Sequence, residues 1–141
     1  MRELTQEEKE TIYLSLLHLG VIKWSKSCYR MLRAMEYIVQ HDDITNIQVI
    51  ELYADVAKIT HSKWQAVERS LRIALQAMWK SHPNECSKLF FHSGFPVPQP
   101  SLSVFLYLYK LEFDNGNIKK WNESIENPKL TAVLNVHQYG D

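Results

Sequence analysis

Apolar residues recur three and four positions apart over most of this chain, the spacing that gathers side chains on one side of a helix. Thr5 followed by Glu8 has the pattern of a capping box; Ile12, Leu16 and Leu19 then share a face up to Gly20, a natural terminator. Over residues 21–40, Val21, Cys28, Leu32, Met35 and Val39 fall on one side, with Lys23, Lys26, Arg30 and Arg33 opposite them. His41-Asp42-Asp43 interrupts this second helix. Thr45 and Asn46 offer caps for a third, which carries Val49, Ile50, Tyr53, Val56 and Ala57 and ends near Ile59.

After a break at Thr60-His61, Ser62 with Gln65 reads as another capping box, opening a helix that runs to Trp79 or Lys80 before Pro83. Its buried face is expected to comprise Trp64, Val67, Leu71, Ala74, Leu75 and Met78, whereas Gln65, Glu68, Arg69, Arg72 and Gln76 occupy the other side. Residues 86–91 suit a short helix. The three prolines between Gly94 and Pro100 exclude regular structure there. Ser101 caps a helix through about Phe113, and Asp114-Asn115-Gly116-Asn117 supplies strong turn chemistry at its end. Residues 118–141 are ambiguous, and 130–136 suit a helical turn or an extended arm.

This pattern predicts an all-α fold, a compact bundle of about six helices containing a helix-turn-helix, comparable to a winged-helix effector domain without a β wing. The division expected is an N-terminal helix over 1–20, a helix-turn-helix domain over 21–113, and an appendage over 114–141. With 141 residues, 45% hydrophobic and 23% charged, the chain is an ordinary globular one of single-domain size. Cys28 and Cys86 do not make a disulfide framework, no signal peptide is evident, and no apolar run approaches the roughly 20 residues of a membrane helix. A reduced, cytoplasmic protein is expected.

Net charge is zero, so any attraction for nucleic acid must be local. Residues 55–92 provide it, with Lys58, Lys63, Arg69, Arg72, Lys80 and Lys88 against Asp55, Glu68 and Glu85. A helix-turn-helix needs a small residue at its closest approach, a short turn and apolar contacts along its second helix. Val56-Ala57, Thr60-His61-Ser62, and Val67 with Leu71 meet those demands, with His61 where Gly is commonest.

Arg matches the paired acceptors of guanine in the major groove, Gln pairs with adenine and Glu accepts from cytosine. Gln65, Glu68, Arg69 and Arg72 are therefore the candidate base readers, with the two arginines foremost. A capping role for Gln65 competes with readout, and Glu68 is spaced to orient Arg72. Candidate phosphate contacts are Lys58, Ser62 and Lys63 around the turn, and Lys23, Lys26 and Arg30 on the second helix. The bland alternative for both stripes is a solvated helix face. His82, Cys86 and His92 match no common zinc spacing, and phosphate-loop, nucleophile-elbow and HExxH motifs are missing, so neither an enzyme nor a cofactor is expected.

The stretch Leu52-Tyr53-Ala54-Asp55-Val56-Ala57-Lys58, then Ser62, then Val67-Glu68-Arg69-Ser70-Leu71-Arg72 with Ala74 and Trp79, resembles the DNA-binding effector domain of stage 0 sporulation protein A. The likeness extends weakly from His18 through Phe113. It implies a six-helix bundle that binds short double-stranded DNA boxes, often as tandem head-to-tail dimers, with Glu68, Arg69 and Arg72 at DNA-contacting positions. Ile73 stands where the family pattern has a histidine, and Lys63 and Gln65 replace small hydroxylated residues, so a different preferred sequence is expected. Only residues 1–20 precede the effector-like region, and phosphorelay control in cis is therefore not expected. The rival is a module with the same fold that binds protein instead, modulating a full-length regulator without touching DNA.

Overall fold

The computed structural model describes residues 2–41 and 49–126, and among these there is no strand. Six helices, α1 (Gln6–His18), α2 (Lys26–Gln40), α3 (Val49–Ile59), α4 (Trp64–Ser81), α5 (Pro83–Phe91) and α6 (Leu102–Asp114), are followed by α7 over residues 117–126. The all-α bundle expected from the periodicity is what forms. The break at Asp42-Asp43, the caps at Thr45 and Asn46, and residues 130–136 lie outside the described residues.

Local chemistry sets most helix ends. Thr5 accepts from the Glu8 amide while the Glu8 carboxylate accepts from the Thr5 amide, so the capping box on α1 forms reciprocally. At the other end, Gly20 has φ +96 and its amide donates to Leu17, while the Val21 amide reaches Leu16: a Schellman turn. A Cβ on Gly20 would lie 2.9 Å from Ser81 Cβ, so this glycine also lets the chain pass close to the end of α4. Ser25 caps α2 and Ser101 caps α6 through amides three residues on.

Burial then assembles the helices around α2, which packs against α1, α3, α4 and α6. Ile12, Leu16, Leu19, Met31, Met35, Val56, Val67, Leu71, Leu75 and Met78 belong to one core with Phe90, Phe105 and Tyr109. The Tyr109 hydroxyl, fully enclosed, is satisfied by Ser15 Oγ at 2.8 Å. Of the aromatic residues on α6, Phe105 and Tyr109 enter the core whereas Tyr107 remains about half exposed. The proline-containing segment is irregular, as its composition requires, yet anchored: Trp79 Nε1 donates to the Val97 carbonyl (2.9 Å) and the Val97 amide to Ser87 Oγ (2.8 Å).

Residues 117–126 are more than a surface addition. Ile118 is fully buried, and Asn122 donates to the Thr11 carbonyl (3.0 Å) while meeting His18 Nδ1 at 2.9 Å, fastening α7 to α1.

Candidate nucleic-acid interface

The segment expected to form a helix-turn-helix consists of α3, a short turn and α4. Its turn is a Schellman motif: His61 adopts φ +51, the Ser62 amide donates to Ala57 O (2.9 Å), and the His61 amide to Lys58 O (3.4 Å). This corrects the capping reading. Ser62 is committed to closing α3, its hydroxyl 2.6 Å from that of Thr60, and α4 starts later, with Lys63 at the N-cap position and no side-chain cap. Gln65 is thus not held in a capping box and stands exposed in the first turn.

Val67, Leu71, Ala74, Leu75 and Met78 are buried as expected, but Trp64 is 49% exposed. It is the first residue of α4, and at that end its place on the apolar arc buries only part of the indole. On the outer side Gln65, Arg69, Arg72 and Gln76 are exposed and Glu68 is half-buried. Glu68 pairs with Arg72 one turn on, the i,i+4 arrangement expected. Burial raises the pKa of the Tyr53 hydroxyl; the Glu68 charge adds to this and Arg72 opposes it.

Next to that arc, α2 and α4 bound an open groove of about 680 Å³. Lys26 and Arg30 line it from α2, and Lys63, Gln65, Arg69 and Ile73 from the start and middle of α4. Its lining carries four cations and no acid. Three expected phosphate contacts, Lys26, Arg30 and Lys63, are therefore brought together with two expected base readers, Gln65 and Arg69. Lys58 is exposed at the last turn of α3.

Two residues on the basic stripe sit differently from their helical-wheel positions. Lys23 precedes α2 altogether, in the loop ahead of the Ser25 cap, because the helix begins only at Lys26. Arg30 turns inward: Nη1 donates to Ser70 Oγ at 2.7 Å and to the Ala66 carbonyl at 3.4 Å, binding α2 to α4 beneath the groove. Ser70 is the residue missed in the sequence. It falls on the buried arc between Val67 and Ala74, and a buried hydroxyl there requires a partner. Arg33, at the far end of the stripe, pairs with Glu36 and lies over the Tyr29 ring.

Among the described residues no three His, Cys, Asp or Glu side chains converge on a possible metal site, and no helix is long and apolar enough to cross a membrane. No curated protein and no solved structure gives a significant match to the chain. Residues 12–106 match the family described as Sporulation initiation factor Spo0A C terminal, a span that starts in α1, includes the whole of α3 and α4 and stops within α6. Since that match takes in well over half of the sequence, the protein belongs to the Spo0A C-terminal family, a family of DNA-binding regulatory domains rather than of enzymes.

Proposed function

We propose that this protein is a sequence-specific DNA-binding transcriptional regulator which places α4 in the major groove. The observation that carries the reading is the uncovered side of α4: Gln65, Arg69 and Arg72 stand exposed beside a groove whose charged lining is wholly cationic. Arg69 and Arg72 read bases, with Glu68 fixing the guanidinium plane of Arg72; Gln65 reads from the first turn. Lys26, Lys58, Lys63 and Lys23 meet phosphates, and the Ser62 hydroxyl joins them by exchanging its hydrogen bond to Thr60 for one to a phosphate oxygen. Arg30 contributes charge to the groove while its hydrogen bonds keep α2 and α4 in register. The first amides of α4, which no side chain caps, suit a phosphate approaching along the helix axis.

By extension from the family, two copies occupy tandem boxes. Fluorescence anisotropy with a labelled duplex at several salt concentrations tests the reading. Affinity should fall steeply with salt, and Lys26→Ala or Lys63→Ala should each flatten the log–log slope by about 1. A salt-insensitive interaction, unaltered by these substitutions, would instead favour the protein-binding module.

A further inference from the structure

Trp24 is the most exposed large apolar residue described, at 89%, and Ile22, two positions earlier, is at 73%. The loop that presents them is fixed. Ser25 Oγ donates to the Ile22 carbonyl (2.7 Å), the Ser25 amide reaches the same oxygen (3.3 Å), and the Cys28 amide donates back to Ser25 Oγ (3.0 Å). Within this turn Trp24 has φ +69, a left-handed conformation unfavourable for a bulky side chain. An indole is thus held in solvent in a strained backbone, with Lys23 Nζ 5.2 Å from its ring centroid. Nothing in the core accounts for it.

Its location does. Gly20 abuts Ser81 and His82 at the end of α4, whereas Lys26 lines the groove with Arg69 and Ile73. The intervening loop therefore joins a point at the end of α4, by Ser81, to one near Ile73 in its middle, and Trp24 stands within that loop. Between Glu10 and Glu36 the chain carries Lys23, Lys26, Arg30 and Arg33 and no acid. An aromatic ring set in a cationic segment suits a polyanion with apolar faces of its own, the sugar and base edges of a nucleic acid.

We infer that the Ile22–Trp24 tip is a second DNA-contacting element, packing Trp24 against the sugar edge of the duplex flank while Lys23 and Lys26 neutralise the phosphates on either side. It rests on the reading of α4 as a major-groove helix, and does for this fold, which has no strand among the described residues, what a β wing does in others. A protein partner is less suited to the site, because protein-binding surfaces are depleted in lysine around their aromatic anchors.

The test uses a duplex selected by the wild-type protein from a random pool, in two forms: extended by about one helical turn on each side, and trimmed to the enriched motif. Trp24→Ala should weaken binding to the extended duplex about fivefold or more and leave the trimmed one unchanged, whereas Arg69→Ala should weaken both. Trp24→Phe should retain most of the affinity. DNA should also shield wild-type fluorescence from iodide, and Trp24→Phe should lose the part of that shielding that is not due to Trp64, the half-exposed indole at the start of α4. Because Trp24 is exposed and strained, the unfolding midpoint of Trp24→Ala should be no lower than that of wild type. Equal affinity of Trp24→Ala and wild type for the extended duplex overturns the inference alone, since Arg69→Ala still reports on α4. A wild-type protein that selects no duplex overturns both readings.

Discussion

The turn between α3 and α4 is closed by a histidine in a conformation that favours glycine, and replacing it should strengthen the fold without altering the site. His61 is exposed and its φ is +51. Left-handed backbone costs an L-residue roughly 1–2 kcal/mol. Glycine removes that strain but brings about 0.5–1 kcal/mol of additional chain entropy to be lost on folding. The two Schellman hydrogen bonds, Ser62 to Ala57 and His61 to Lys58, are made by backbone atoms and survive the substitution. His61→Gly should therefore stabilise the protein by about 0.5–1 kcal/mol, raising the unfolding midpoint by about 2–4 °C. His61→Val, branched at Cβ, should destabilise it by about 1 kcal/mol. Urea denaturation monitored by circular dichroism gives the comparison, with an unchanged m value showing that only stability moved. If His61→Gly lowered the midpoint, the ring would be contributing more than the strain removes, and the account of the turn would be wrong.

Other expectations concern the scaffold. Thr5→Ala should cost about 1 kcal/mol through loss of the cap on α1, read in the same denaturation experiment. The side-chain hydrogen bond from Arg2, above all, holds the Glu8 carboxyl below its ordinary value of 4.5. A depressed carboxylate stabilises the native state fully above that ordinary value, and the contribution fades as pH falls through the lower native one. Wild type should therefore lose an increment of stability under acid that Glu8→Gln does not have to lose, and parallel pH profiles for the two proteins would contradict this. Burial pushes the Cys86 thiol up to about 12 and raises that of Cys28 as well, so neither should react with a disulfide reagent near pH 8 until the protein unfolds. Leu71→Ala, at a fully buried position on α4, should cost about 2–5 kcal/mol, measured by thermal or urea unfolding.

Helix boundaries were legible wherever a single residue had a single local role. Thr5 with Glu8, Gly20 and Ser101 have the same function in the structure as their types and spacing indicate, because a cap or a left-handed turn is settled within one turn of backbone. Ser62 departs from its expected capping role for the converse reason. A short turn leaves one residue to end α3 or to begin α4, and the Schellman hydrogen bond to Ala57 claims it.

Angular position also carries no information about what lies above a residue. Trp64 is on the apolar arc but at the tip of α4, and Arg30 is on the polar arc but faces the small side chains of Ala66 and Ser70 across the α2–α4 contact. Residues 117–126 were obscure since only Ile118 of that helix is a buried large apolar residue, and its other anchors, Asn122 and His18, are polar side chains paired at long range. The candidate interface was legible as residue types on α4. Its partner wall, supplied by Lys26 and Arg30, depends on helix crossing that periodicity does not encode.

Sequence selection from a random duplex pool at low salt, by wild type and by the Arg69→Ala and Arg72→Ala proteins, tests the central claim most directly. The wild-type protein should enrich a defined motif, and each variant should lose about 1–3 kcal/mol on that motif while relaxing its preference at the position its arginine reads. Recovery of no enriched motif by the wild type, or of the same motif at undiminished affinity by both variants, would contradict the assignment of α4 as the reading helix.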